Sequence, residues 1–298
     1  MTALRGILPM QYALFRADGA LDEAAMRRQA QAAIAGGAHG VAVLGLATEV
    51  AKLDGAERRC VIDWVSAEAR GALPLAVTVA GASVEEQVEL AHHAQRAGAA
   101  CVILQPPPQR SLPEAYYADF FGRVMEQVDL PVAIQNAPEY LGIGLGDEAL
   151  LALARARPNF AAVKGEGPAI TIARTIEAVG ARLPVLNGRA GLELPDNLRA
   201  GCAGLIPATD VFDYMVGVFD AMRGGDEARA EGIYREVLPA IVFVMQSLDT
   251  LICYGKRIAA LRLGLAEVHD RAPALAPTAF GLACAARFAR SLGPLRAG

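Results

Sequence analysis

Short apolar runs alternate with longer amphipathic stretches along the first three quarters of the chain. The runs fall at residues 6–9, 40–45, 73–80, 100–105, 130–136, 160–164, 183–187 and 204–207. Each is apolar throughout instead of alternating with polar residues, as in parallel strands buried on both faces. Between them, 21–35, 54–68, 83–97 and 113–127 carry apolar residues at helical spacing. Asp54 and Ser83 stand where helix caps belong, and Glu86, three residues after Ser83, predicts a capping box there. Eight strand–helix units within about 220 residues predict an α/β fold, a (β/α)8 TIM barrel, over residues 1–223. A doubly wound open sheet is the alternative, but no GxGxxG follows the first run. Beyond residue 223 the strand signal stops. Segments 226–233, 237–248 and 252–263 are apolar at helical spacing, which predicts a C-terminal helical extension over 224–298 packed on the barrel.

Composition narrows the function. Hydrophobic residues make up 54% of the 298, yet no stretch reaches the roughly 18 uninterrupted apolar residues of a membrane span. The start, Met1-Thr2-Ala3-Leu4-Arg5-Gly6, has no long apolar segment, so a cytoplasmic protein without a membrane partner is expected. The net charge of −4 comes from interspersed acidic and basic residues, which gives no nucleic-acid surface. Cys60, Cys101, Cys202, Cys253 and Cys284 show no CxxC spacing and are expected as buried, reduced thiols. His39, His92, His93 and His269 make no metal-ligand pattern, so no metal is expected.

Lysine usage is more informative. Of 28 basic residues only Lys52, Lys164 and Lys256 are lysines. Arginine does the ordinary surface work, but its guanidinium does not deprotonate and cannot form an imine. A lysine kept at the end of an apolar run is therefore a candidate nucleophile, and Lys164 is that residue. Desolvation disfavours an ammonium ion and frees the amine for a carbonyl. In a barrel the site lies at the C-terminal ends of the strands. Those ends carry Gly45-Leu46-Ala47-Thr48-Glu49, Gln135-Asn136-Ala137-Pro138, Lys164-Gly165-Glu166, Asn187-Gly188-Arg189 and Thr209-Asp210.

These residues, in this order, resemble the dihydrodipicolinate synthase and N-acetylneuraminate lyase family over nearly the whole chain. Residues 45–49 match its Gly-x-x-Gly-Glu loop, Asn136-Ala137-Pro138 the end of its Tyr-Asn-x-Pro motif, and Lys164 its Schiff-base lysine. Gly188 and Gly204 match glycines of its later loops. The resemblance implies a TIM barrel, a 2-keto acid substrate held as a Lys164 imine, no cofactor, and a homotetramer. It also implies that the strand 2 loop (Gly45, Ala47, Thr48) holds the substrate carboxylate and that Glu49 braces this loop.

Departures from the pattern shift the expected reaction. Gln135 replaces the family tyrosine that moves protons at the imine, Pro106-Pro107-Pro108 lacks the tyrosine of the strand 4 turn, and Tyr140 replaces an arginine. Leu46-Ala47 replaces the hydroxyl pair and Thr48 the usual glycine. These changes argue against dihydrodipicolinate synthase itself. They resemble the branch of the 2-keto-3-deoxy-L-arabonate dehydratases, which also carries Gln and a Lys-x-Glu after strand 6. Glu166, two residues past Lys164 on an extended strand, faces the same way and is expected to handle the C3 proton. Lys164, Glu166 and Gln135 are thus the expected catalytic residues. Gly45, Ala47, Thr48, Asn136, Gly188, Arg189 and Thr209 are expected to bind substrate, with Asn187 and Asp210 beside them. Tyr254 and Lys256 are assigned to the helical extension. The expected reaction is dehydration of a 2-keto-3-deoxy sugar acid. Retro-aldol cleavage to pyruvate and an aldehyde is the alternative, and a non-catalytic keto-acid-binding barrel is the rival from another class.

Overall fold

The computed structural model describes residues 4–295. Eight parallel strands, β1 (Gly6–Ile7), β2 (Val41–Val43), β3 (Leu75–Val79), β4 (Cys101–Leu104), β5 (Val132–Asn136), β6 (Phe160–Gly165), β7 (Val185–Asn187) and β8 (Gly204–Leu205), form one sheet. Their spatial order is β1-β8-β7-β6-β5-β4-β3-β2. Met10, just past β1, pairs with Ala42 of β2 and so closes the ring. Gln11 N–H donates to the Ala42 carbonyl and Ala42 N–H to that of Pro9, both at 2.9 Å. The fold is the predicted TIM barrel. Its strands are shorter than most of the apolar runs. The trimmed residues, such as Leu8 and Pro9, stay buried without forming a regular ladder.

The strands read as unbroken apolar runs because both faces are covered. Val43, Val77, Val102, Leu104, Ile134 and Val163 join a cluster with helix residues such as Val61, Ala91 and Leu150. The alternate positions, Ala42, Ala76, Ile103, Ala133, Ala162 and Leu186, belong to a second cluster. Successive side chains on a strand point to opposite faces, so this second set fills the barrel interior. The same parity decides which residues at the strand ends reach the site.

Helices follow the strands at Glu23–Ala35, Gly55–Ala69, Val84–Ala97, Glu114–Met125, Asp147–Ala156, Ala169–Val179, Leu194–Arg199 and Phe212–Arg223. Asp54 caps its helix with a full capping box, its side chain taking Glu57 N–H at 2.8 Å and Glu57 reaching back to Asp54 N–H at 3.1 Å. The box predicted at Ser83 forms only in half. Ser83 accepts from Glu86 N–H at 3.2 Å, but the Glu86 carboxylate turns to Ala82 N–H at 2.6 Å.

The C-terminal helices differ from expectation in two ways. Segments 226–233 and 237–248 are one helix, Glu227–Val244, which runs through Pro239. A proline inside a helix costs about 3 kcal/mol. Burial of Val237, Ala240, Ile241 and Val244 in the apolar cluster shared with the barrel offsets it. A last helix, Ala279–Leu292, lies within the expected extension but beyond its three expected segments. Thr278 caps it, and it buries Ala285, Phe288, Ala289 and Leu292. A π-helical turn, Leu251–Gly255, leads into Lys256–Arg262. Among the described residues no single helix is long and apolar enough to cross a membrane.

One further expectation needs adjustment. All five cysteines are free, but Cys60 is exposed and Cys284 half-buried. Burial pushes the Cys101 thiol up to about 12 and that of Cys202 to about 11. His92 and His93 are engaged separately, His92 with the Gln127 carbonyl and His93 with Asp63, each at 2.8 Å.

Candidate active site

Strand parity brings four side chains together at the C-terminal mouth. Gln105 lies two residues beyond inward Ile103, Gln135 two beyond Ala133, Lys164 two beyond Ala162, and Glu166 two beyond Lys164. β5 and β6 pair with Gln135 opposite Lys164, which sets these groups side by side. Lys164 is buried, with 3% of its surface exposed. Its ammonium is not isolated, as an apolar pocket alone would make it. Nζ lies 2.6 Å from Glu166 Oε1.

Glu166 is held from three sides. Oε1 accepts from Lys164 and, at 3.1 Å, from Gln135 Nε2, while Oε2 accepts from Arg189 N–H at 3.2 Å. Gly188 has to be glycine here. A Cβ at that position would sit 2.2 Å from Glu166 Oε2.

A small cleft opens over the pair. Its barrel wall is Met10, Leu46, Ala47, Ile206, Pro207 and Ala208. Met245, Leu248 and Leu251 of the C-terminal segment close one side. Besides Lys164 and Glu166, its polar lining is Tyr140 and Arg189 alone. Arg189 Nη1 donates to Glu193 Oε2 at 3.2 Å, and its buried Nε has no partner. Burial holds the Tyr140 phenol above its ordinary range, against an opposing pull from the Arg189 guanidinium. Arg189, Ala190 and Glu193 all take left-handed backbone conformations, with φ of 57°, 52° and 59°. Such residues cost on the order of 1 kcal/mol or more each and concentrate at functional sites.

The strand 2 loop meets the cleft through its backbone. Among the described residues the N–H groups of Leu46 and Ala47 donate to no protein acceptor, whereas Thr48 N–H is bonded to the Gly45 carbonyl at 3.1 Å. The Thr48 hydroxyl is also committed, to the Gln11 carbonyl at 2.6 Å. Glycine at 45 leaves room for Met10, whose Cε would lie 2.5 Å from an added Cβ. Glu49, in a left-handed conformation with φ 55°, accepts from Lys52 at 2.5 Å and from buried Lys256. Lys256 thus reaches back from the extension to brace this loop, a role its sequence position did not reveal.

Of the expected substrate contacts only Ala47 and Arg189 line the cleft; Gly45, Gly188 and three polar side chains do not. Asn136 has the opposite parity to Gln135, and its amide is spent on Leu145, Nδ2 to the carbonyl at 2.9 Å and Oδ1 from the N–H at 2.8 Å. Thr209 is buried against the Met10 carbonyl (3.3 Å) and Gln29 Oε1 (3.1 Å). Thr48, as described, braces the loop from behind. Asn187 is likewise internal, bonded to the Gly167 carbonyl and to Asn197. Asp210 is fully buried, with Oδ1 taking the Tyr12 hydroxyl at 3.1 Å and Oδ2 unpartnered.

The dihydrodipicolinate synthetase family model matches residues 3–277. The chain belongs to the dihydrodipicolinate synthetase family. Among its relatives is the protein named probable 2-dehydro-3-deoxy-D-pentonate aldolase YjhH of Escherichia coli K12. The two are 29% identical over 269 residues, covering 88% of this chain and 89% of that one. A 4-hydroxy-tetrahydrodipicolinate synthase of Methanopyrus kandleri is 28% identical over 240 residues, with coverage of 79% and 80%. Among solved structures, YagE of E. coli K12, described as a prophage protein of the dihydrodipicolinic acid synthase family in complex with pyruvate, superposes with a TM-score of 0.90. Its identity is 25%, and the match covers 97% of this chain and 98% of that one. This family member is therefore an enzyme, a lyase that works through a lysine Schiff base.

Proposed function

We propose that the enzyme dehydrates a 2-keto-3-deoxy sugar acid through an imine on Lys164. The observation that carries the reading is the buried Lys164–Glu166 pair at 2.6 Å on the floor of a mostly apolar cleft. Glu166 takes the ammonium proton, the freed amine adds to the C2 carbonyl, and Glu166 returns the proton to the carbinolamine hydroxyl, which leaves as water and forms the iminium. The free amides of Leu46 and Ala47 hold the C1 carboxylate. The iminium withdraws electrons from C3, and Glu166 removes the C3 proton. The resulting enamine expels the C4 hydroxyl, which takes the proton held by Glu166 and leaves as water. Hydrolysis of the imine returns Lys164. Arg189 and Tyr140 face the tail beyond C4. Gly45 and Gly188 act by leaving room, Gln135 by its hydrogen bond to Glu166, and Asn136, Thr48 and Thr209 by fixing the loops.

Retro-aldol cleavage is the second reading, favoured by the aldolase name of YjhH. It needs a base at the C4 hydroxyl, and the neutral Gln135 amide is no such base.

Borohydride reduction in the presence of pyruvate tests the imine. A mass adduct is expected on Lys164 and none in Lys164→Ala, and an unmodified lysine at saturating ligand would refute the reading. Glu166→Gln is expected to keep the adduct while lowering turnover by about 10²–10⁴-fold, the usual worth of acid–base help. Full turnover in that variant would remove Glu166 from proton transfer. Measuring water loss against pyruvate release separates dehydration from cleavage.

A further inference from the structure

Behind Glu166 runs a line of amides. Gln105 Nε2 donates to Gln135 Oε1 at 3.0 Å, and Gln135 Nε2 donates to Glu166 Oε1 at 3.1 Å. The main chain at the start of the line is held, since Gln87 Nε2 donates to the Gln105 backbone carbonyl at 2.9 Å and to that of Gly81 at 3.2 Å. Gln87, Gln105 and Gln135 are all buried. A carboxamide has one accepting and one donating end. With its oxygen taken by Gln105, Gln135 presents only N–H to Glu166. Turned over, it would set a carbonyl oxygen against the carboxylate, an arrangement that suits a protonated Glu166 alone.

We propose that Gln105 is a positioning residue that sets the polarity of Gln135 and thereby keeps Glu166 ionised, able to take a proton. The inference rests on Glu166 acting as the base. The other groups that meet Glu166 are Lys164 on β6, the Arg189 amide after β7, and Tyr140 across the cleft. None of them touches Gln105, so the relay is separable from them. A hydrogen bond to a charged group is worth about 1.5–3 kcal/mol, and about 1.4 kcal/mol is a tenfold change in a protonation equilibrium.

The test is the pH dependence of kcat and KM with 2-keto-3-deoxy-L-arabonate. Gln105→Met keeps the length and removes the amide. Its acid limb is expected to move up by about one pH unit, so turnover falls about tenfold on that limb and far less on the alkaline side, with KM little changed. Gln135→Met is expected to move the limb the same way. The double variant should move it no further than Gln135→Met, because Gln105 acts through Gln135. An unmoved acid limb in Gln105→Met, or additive movement in the double variant, would overturn the proposal. Gln105→Leu gives the same readout if the methionine variant does not fold. A wild-type protein that forms no borohydride adduct with pyruvate would instead refute the imine. An adduct retained in Gln105→Met with no pH shift refutes the relay alone.

Discussion

Asp210 gives a sharp test of how burial acts in this barrel. It lies just past β8, fully buried, with one carboxylate oxygen on the Tyr12 hydroxyl and the other unpartnered. Burial is the largest influence on it, and it raises the carboxyl from the ordinary 3.8 to about 6. The folded protein therefore holds a proton on Asp210 between about pH 4 and 6 that the unfolded chain has released. Stability from this group is greatest below the unfolded value and is lost as pH rises through about 6. A rise of this size corresponds to about 3 kcal/mol. Asp210→Asn keeps an acceptor for Tyr12 and cannot ionise. Its buried amide N–H groups bring a cost of about 1–3 kcal/mol, but that cost does not vary with pH. The informative quantity is thus the difference between variant and wild type. It should move in favour of Asp210→Asn by about 2.4 kcal/mol between pH 4 and 7, measured by urea denaturation at half-unit steps. All other titrating groups are shared and cancel. A difference that stays flat, or that moves against the variant as pH rises, would show that Asp210 is already ionised at pH 4 and that burial does not control it.

Two further outcomes follow from the geometry. Gly188→Ala places a Cβ on top of Glu166 Oε2 and should lower kcat severalfold or more while the pyruvate adduct on Lys164 still forms, as followed by single-turnover assay and mass spectrometry. Thr48→Val leaves the Gln11 carbonyl without its hydroxyl donor and should cost about 1–3 kcal/mol in denaturation. If Thr48 were a direct substrate ligand, its KM would rise with stability unchanged.

Much of the barrel was legible because buried parallel strands leave unbroken apolar runs, and all eight were where the sequence put them. Lys164 and Glu166 were legible for a related reason, since a two-residue spacing on an extended strand places side chains on one face. The same rule, applied to β4 and β5, would have found Gln105 and dismissed Asn136. Gln105 stands two positions past Ile103, whereas Asn136 follows outward-facing Ile134. The family motif drew attention to Asn136 for its presence, while its work is to hold Leu145. Thr48 was hidden differently, because its hydroxyl is claimed by Gln11, 37 positions away in sequence. The helix through Pro239 was missed because a local breaker loses to burial that only the folded chain provides.

The placement of the lysines makes native and unfolded protein chemically distinguishable. Side-chain exposure is 16% at Lys52, 4% at Lys164 and 0% at Lys256, and each ammonium already grips a glutamate. An acylating reagent or a lysine-specific protease therefore meets almost no accessible side-chain amine on the described fold, despite the 28 basic residues of the chain. Cleavage after lysine becomes a direct count of opened molecules, free of the background that a lysine-rich surface would give. By the same token, a label that enters the folded enzyme without opening it has few destinations, and the one that borders the cleft is Lys164.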